Sequence, residues 1–219
     1  MNIATFTHDM TVSRQRSRRA FTIIELLVVI GIIAVVAGLV VGLSAVVGEK
    51  KRISRAQVER DRLVTLIESY KAKIGVYPPP NTNNPAHNTL LYELAGAIRD
   101  VNNTALNPNY LTPFGPVQAS VLSAECSVGG IQNAVDILGE TSQVQRLLKD
   151  IRPDVVAQIG GVLSLVVPID GPNGTPNPWH YLAGTDDEIK KRMKNPETFD
   201  LWVEIVVRGK TNTIGNWKD

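Results

Sequence analysis

The 219 residues contain one cysteine, Cys126, so the chain forms no internal disulfide. With no candidate base near it in sequence, that thiol reads as a small buried hydrophobe rather than a nucleophile. Histidine is almost as scarce: His8, His87 and His180 stand far apart. His180 sits between Trp179 and Tyr181 in a predicted strand, where a structural, hydrogen-bonded imidazole is expected rather than a base. There is no Gly-rich phosphate loop, no paired-cysteine metal set and no G-x-S-x-G turn. Neither sign of charge dominates, with 23 Lys+Arg against 21 Asp+Glu, so no global basicity points to nucleic acid. The acidic trio Asp186-Asp187-Glu188, followed by Ile189-Lys190-Lys191-Arg192, reads as a helix start, acids first and bases later. Catalysis is left with little to stand on.

A further absence is more telling. Residues 26–47 carry no charge at all. At about 1.5 Å of rise each they make a helix of roughly 33 Å, enough to cross a bilayer's hydrocarbon core. The run is read as a single-pass transmembrane segment. Arg14, Arg16, Arg18 and Arg19 precede it against Asp9 alone, which argues that the N-terminus stays in the cytoplasm. Lys50, Lys51, Arg52 and Arg55 follow the run closely and weaken that bias. A secretory signal peptide would have a shorter apolar region and a small-residue cleavage site, and Gly42-Leu43-Ser44-Ala45-Val46-Val47 offers no clean A-x-A pattern.

Just before the uncharged run stands Arg18-Arg19-Ala20-Phe21-Thr22-Ile23-Ile24-Glu25. A basic leader, this sequence and a long apolar helix together resemble the class III signal of type IV pilins and type II secretion pseudopilins. The resemblance implies that a prepilin peptidase cuts between Ala20 and Phe21 and N-methylates Phe21. The family usually has Gly before the cut, so Ala20 is a departure that keeps a small residue there. Losing residues 1–20 would take 23 basic and 21 acidic residues to 19 and 20. The resemblance also gives Glu25 a partner. An ionised carboxylate at membrane depth costs a few kcal/mol unless paired. In a filament the Phe21 ammonium of a neighbouring subunit could supply that charge and set the axial register. The competing reading makes Glu25 a solvated acid at a helix start, favoured by the N-terminal dipole.

Beyond Gly48 the helix is expected to continue in amphipathic form. Ala56, Leu63, Leu66, Ile67, Tyr70 and Ile74 recur at three- and four-residue steps, with Arg52, Arg55, Glu59, Arg60, Arg62 and Glu68 elsewhere around it. Gly75 and Pro78-Pro79-Pro80 stop it. The spacing Tyr70…Gly75-Val76-Tyr77-Pro78 resembles the Y-x-x-x-x-G-x-Y-P signature of major pseudopilins and favours them over adhesive pilins. The expected fold is therefore α+β, the pilin fold: a long N-terminal helix, transmembrane then amphipathic, packed on a C-terminal antiparallel β-sheet. The expected organisation is a leader at 1–20, a helix over 21–75 and an extracytoplasmic domain over 76–219 with an insertion at 100–160.

Within that domain the spacing predicts a short helix over residues 87–99 and another within 133–150. Strands are expected over 162–167, 178–182 and 199–207, each rich in branched or aromatic residues. Phe199-Asp200-Leu201-Trp202 and Ile214-Gly215-Asn216-Trp217 resemble the D-L-W strand and I-x-N-W ending of pseudopilins. The family often holds calcium in the intervening loop. Hard cations need several oxygen ligands with carboxylates among them. Here residues 208–213, Arg-Gly-Lys-Thr-Asn-Thr, have no carboxylate. No calcium or other metal, and no cofactor, is expected, with Trp217, Asn212 and Asn216 holding the loop instead.

Three functions remain in competition. The first is a pseudopilus or pilus-like filament subunit, with identical or related subunits, prepilin peptidase, an inner-membrane assembly platform and lipid as partners, and no nucleic acid. The second is a type IV pilin for adhesion, motility or DNA uptake. The third is a membrane-anchored extracytoplasmic enzyme or binding module, which the lack of a catalytic constellation disfavours.

Overall fold

The structure is a computed structural model that describes residues 21–100, 107–137, 144–184 and 186–217; the side chains of 39–47 and 49 lie outside the described set. The chain divides into two compact units, Met1–Val47 and Gly48–Asp219. The described part of the first unit is helical from Ile23 onward. Helix α1, Ile23–Ile74, carries on into the second unit.

In the second unit α1 buries the expected stripe: Ala56, Leu63, Ile67 and Tyr70 are fully buried, and Leu66 and Ile74 partly so. Gly75 ends the helix with φ 95, a left-handed setting that costs a residue with a Cβ about 1–2 kcal/mol. The remaining elements are α2 (Leu90–Ala95), β1 (Ala97–Asp100), β2 (Asn109–Thr112), β3 (Gly115–Gln118), α3 (Ala119–Cys126), β4 (Ala134–Asp136), β5 (Val156–Ile159), β6 (Val162–Val167), β7 (Asn177–Pro178), β8 (His180–Ala183), α4 (Asp187–Lys190), β9 (Phe199–Val207) and β10 (Lys210–Gly215).

The α+β class and long N-terminal helix agree with expectation and are compatible with a pilin fold. The single sheet is corrected to three, with strand orders β3-β2-β1-β4, β10-β9-β8 and β5-β6-β7. All described strand pairs are antiparallel except β1 with β4. β9 alternates strictly: Phe199, Leu201, Val203, Ile205 and Val207 face the core that holds the α1 stripe, with Trp179, Tyr181 and Leu91. A second core, built from Tyr92, Ala97, Tyr110, Leu122, Cys126 and Ile131 among others, gives the region expected as an insertion its own apolar centre.

Three local expectations are overturned. The helix placed over 87–99 is only α2, because Gly96 at φ 74 turns the chain out of it and Ile98 lies in β1. The helix placed within 133–150 is absent from the described residues there. Ala134–Asp136 form β4, 138–143 lie outside the described residues, and the Asn133 side chain bridges to Gln145 from both its amide atoms. The supposed loop at 208–213 is a tight hairpin. Arg208 (φ 51) and Gly209 (φ 69) form a two-residue turn of left-handed residues, and residues 210–213 belong to β10.

Candidate functional site

The N-terminal segment begins with Phe21, exposed and non-helical; Ala20, on the other side of the expected scissile bond, lies outside the described residues. Thr22 is the N-cap of α1. Its carbonyl accepts the Leu26 N–H at 3.2 Å, and its hydroxyl oxygen accepts the Glu25 N–H at 3.3 Å. The Glu25 carboxylate reaches back to the Thr22 N–H at 2.9 Å and to its hydroxyl at 2.9 Å. This is a complete capping box, Thr-x-x-Glu, which satisfies two backbone donors that a helix start leaves open. The subunit alone thus gives Glu25 a local role as a helix-start acid. Its carboxylate nevertheless stays exposed and open to a further partner.

Residues 21–38 are exposed all round, and nearly all of them are apolar. Phe21 is 78% and Ile23 84% accessible, and Leu26, Leu27, Ile32, Ile33 and Val35 each exceed half. A helix apolar on every face belongs in a membrane or a protein core, not in water. Among the described residues no helix is long and apolar enough to cross a membrane. The expected span over 26–47 falls partly on 39–47, whose side chains lie outside the described residues.

In the second unit the Tyr70…Pro78 signature proves to be a clasp. Tyr70 donates its hydroxyl to Glu93 at 2.7 Å, Tyr77 packs on Phe199 at 5.3 Å between ring centres, and Tyr181 donates its hydroxyl to the Pro78 carbonyl at 3.0 Å. Lys71 lies 4.1 Å above the Tyr77 ring. Glu93 is the residue that the sequence reading missed. It is fully buried and accepts Tyr70 Oη, the Gln132 N–H (2.8 Å) and the Asn133 N–H (2.9 Å). Burial pushes its carboxyl above the usual carboxylate range, against the pull of those donors, and with the Glu93 charge it pushes the Tyr70 phenol up as well. The available signal was a lone acid inside Leu90-Leu91-Tyr92-Glu93-Leu94-Ala95.

At the C-terminal end Asp200 is buried in β9, and its carboxylate accepts the Lys194 and Asn195 N–H groups at 2.6 and 2.9 Å. Asn216 accepts the Leu201 N–H at 2.9 Å and donates to the Phe199 carbonyl at 2.9 Å, tying the end of the chain to β9. Trp217 lies 6.0 Å from Trp202, whereas the Asn212 side-chain amide donates to the Lys210 carbonyl of its own strand at 3.1 Å. Asp186 caps α4 by accepting the Ile189 N–H, as the acids-first reading expects. His180 stacks on Trp202 at 5.0 Å and is hydrogen-bonded to the Trp202 backbone, as a structural histidine is expected to be, while its Nδ1 is buried without a hydrogen-bond partner among the described residues. Burial lowers its basicity against the attraction of Glu204. Cys126 is buried, with its thiol pushed up to about 12, which removes it as a nucleophile. Among the described residues no group of three or more His, Cys, Asp or Glu side chains is placed to hold a metal ion.

Residues 15–41 match the prokaryotic N-terminal methylation motif. The match spans the expected scissile bond, Phe21, Glu25 and the first part of the apolar run. It supports a type IV pilin-like protein and implies processing by a prepilin peptidase and assembly with pilin-like subunits. It points to a structural subunit rather than an enzyme and is consistent with membrane anchoring. No curated protein and no solved structure shows significant similarity to the chain.

Proposed function

We propose that this chain is a structural subunit of a type II secretion pseudopilus, or of a closely similar pilus-like filament, that supports protein export. The methylation-motif match over residues 15–41 carries the reading, because it joins a processing signal to a helix whose apolar side chains are exposed among the described residues. Cleavage between Ala20 and Phe21 frees an ammonium on Phe21, and methylation keeps its charge. Residues 26–47 hold the subunit in the inner membrane, N-terminus cytoplasmic and globular domain outside, until the same helix packs among identical or related subunits on an inner-membrane platform. Glu25 then exchanges its Thr22 contacts for a neighbour's Phe21 ammonium and so sets the register. The Tyr70…Pro78 clasp and the Asp200 and Asn216 bonds support the pseudopilin side of the family. In this reading those protein groups, rather than calcium, secure the C-terminal end.

Intact-mass analysis of the full chain, expressed with and without a prepilin peptidase, tests the processing. Loss of residues 1–20 and gain of one methyl group in the presence of the peptidase is the expected outcome. Persistence of the full chain in its presence would overturn the reading.

A further inference from the structure

A basic groove opens on α1 in the second unit. Lys51, Ser54, Arg55, Val58, Glu59 and Arg152 line a concavity of about 440 Å³. Its guanidinium groups are held in place: Arg55 bonds Asp154 at 2.6 Å, and Arg152 lies 3.7 Å from Asp154 and 3.8 Å from Glu59. Lys51 has no ion pair among those described and is exposed, as are Lys50 and Arg52 beside it. Three cations, Lys51, Arg55 and Arg152, thus stand against Glu59 and Asp154, with Lys50 and Arg52 next to Lys51 in sequence. Val58, 65% accessible, adds an apolar contact at the groove wall. Paired guanidinium forks, an exposed ammonium and a hydroxyl are the donor set that recognises a phosphate monoanion.

Position in the sequence selects the source of that phosphate. Lys50 follows the end of the uncharged run by three residues and Arg55 by eight. If 26–47 spans the hydrocarbon, these side chains arrive at the headgroup layer. Cations on this flank also oppose the N-terminus-inside bias of the leader arginines, so topology gains nothing from them. We propose that the groove lined by Lys51, Arg55 and Arg152 binds the phosphate of an anionic phospholipid headgroup on the outer side of the membrane, holding the subunit before it enters a filament. The inference rests on the membrane-anchored reading above. Each cation near a charged bilayer surface is worth about fivefold in affinity.

The test uses the full chain in neutral detergent, with native mass spectrometry of lipid adducts in phosphatidylglycerol and in phosphatidylcholine. Phosphatidylglycerol is expected to be retained on the order of tenfold better. A Lys51→Ala/Arg152→Ala variant should lose that preference, and Lys210→Ala, at the exposed hairpin, should keep it. Equal retention of both lipids overturns the proposal, as does displacement of phosphatidylglycerol by equimolar inorganic phosphate. A double variant that keeps the lipid preference but fails to form filaments would reassign the groove to contact with a second subunit and overturn it too. Alkaline carbonate extraction separates the two levels. A chain washed off membranes defeats the anchored reading and this proposal together, whereas a chain retained there without lipid preference defeats this proposal alone.

Discussion

Two stretches of the same helix carry apolar side chains to opposite ends. In residues 21–38 they cover every face and stay exposed; in the second unit they form one stripe, Ala56, Leu63, Ile67 and Tyr70, closed over by β9 and α2. The two acids tied to these stretches differ in the same way. Glu25 is exposed and satisfied by Thr22, three residues away, while Glu93 is buried and satisfied by α1 and the 132–133 backbone. A side chain whose partners lie within its own turn is available to another molecule at little cost. One whose partners come from two separate, distant segments is committed to its own fold. The contrast supports the proposal that the first stretch is the assembling surface, with the second as an internal joint.

The largest effect is expected at the first acid. Glu25→Ala should leave membrane insertion and cleavage at Ala20–Phe21 intact and abolish filaments seen by electron microscopy. The lost capping box costs only about 1 kcal/mol, too little to unfold a helix of 52 residues held elsewhere. Normal filaments from this variant would erase the contrast, leaving Glu25 a helix cap and nothing more.

The second acid should fail in the other manner. Glu93→Ala strands the Tyr70 hydroxyl and two backbone N–H groups in the core, each costing about 1–3 kcal/mol, so a loss of about 3 kcal/mol or more is expected in chemical denaturation. Processing of the N-terminus should be unaffected. Glu93→Gln sharpens the point through pH. Because the folded-state pKa of Glu93 is raised, its contribution is fully present below the ordinary value of 4.5 and is lost as pH rises through the folded value. The stability gap between wild type and Glu93→Gln should therefore narrow as pH rises from 4 toward neutrality. A gap that widens would mean that the three donors outweigh burial.

What the sequence disclosed follows the same divide between local and distant causes. The helix stop at Gly75, the inward stripe of α1, the strict alternation of β9 and the acids at the α4 start are each written within a few neighbouring residues, and each was legible. The end of α2 was not: Leu91, Leu94, Ala95 and Ile98 keep helical spacing across Gly96, but the backbone at Gly96 turns away and Ala97 donates its N–H to the Asn133 carbonyl instead. Likewise Val144, Leu147 and Leu148 imitate a helix face, while Leu147 and Leu148 both donate their N–H groups to the Leu94 carbonyl. These bonds join positions 36 to 54 residues apart, and no local pattern announces them. Glu93 was overlooked for the same reason, since its donors come from Tyr70 and from residues 132–133. At the N-terminal site the motif is legible because it is a linear string of neighbouring residues; the Thr22 half of the capping box is not, because a threonine at the edge of an apolar run carries no sign of which backbone groups it meets.

The smallest effect concerns the sheet that the second stretch packs on. His180 lies stacked on Trp202, with Glu204 as the charge that favours its protonated form and burial as the larger influence against it. Its folded-state pKa is therefore depressed, so the stability it contributes is present above the ordinary histidine value of 6.5 and is lost as pH falls through the folded value. The unfolded chain takes up the proton first, and acid favours unfolding across that interval. Thermal melts of wild type between pH 7 and 5 should show a decline that His180→Phe, which keeps an aromatic ring against Trp202, does not. An equal decline in both would assign the acid sensitivity to the carboxylates of the domain and leave His180 a packing residue alone. A decline that instead tracked the loss of Glu25 would place it in the N-terminal stretch and undo the division between an assembling surface and an internal joint.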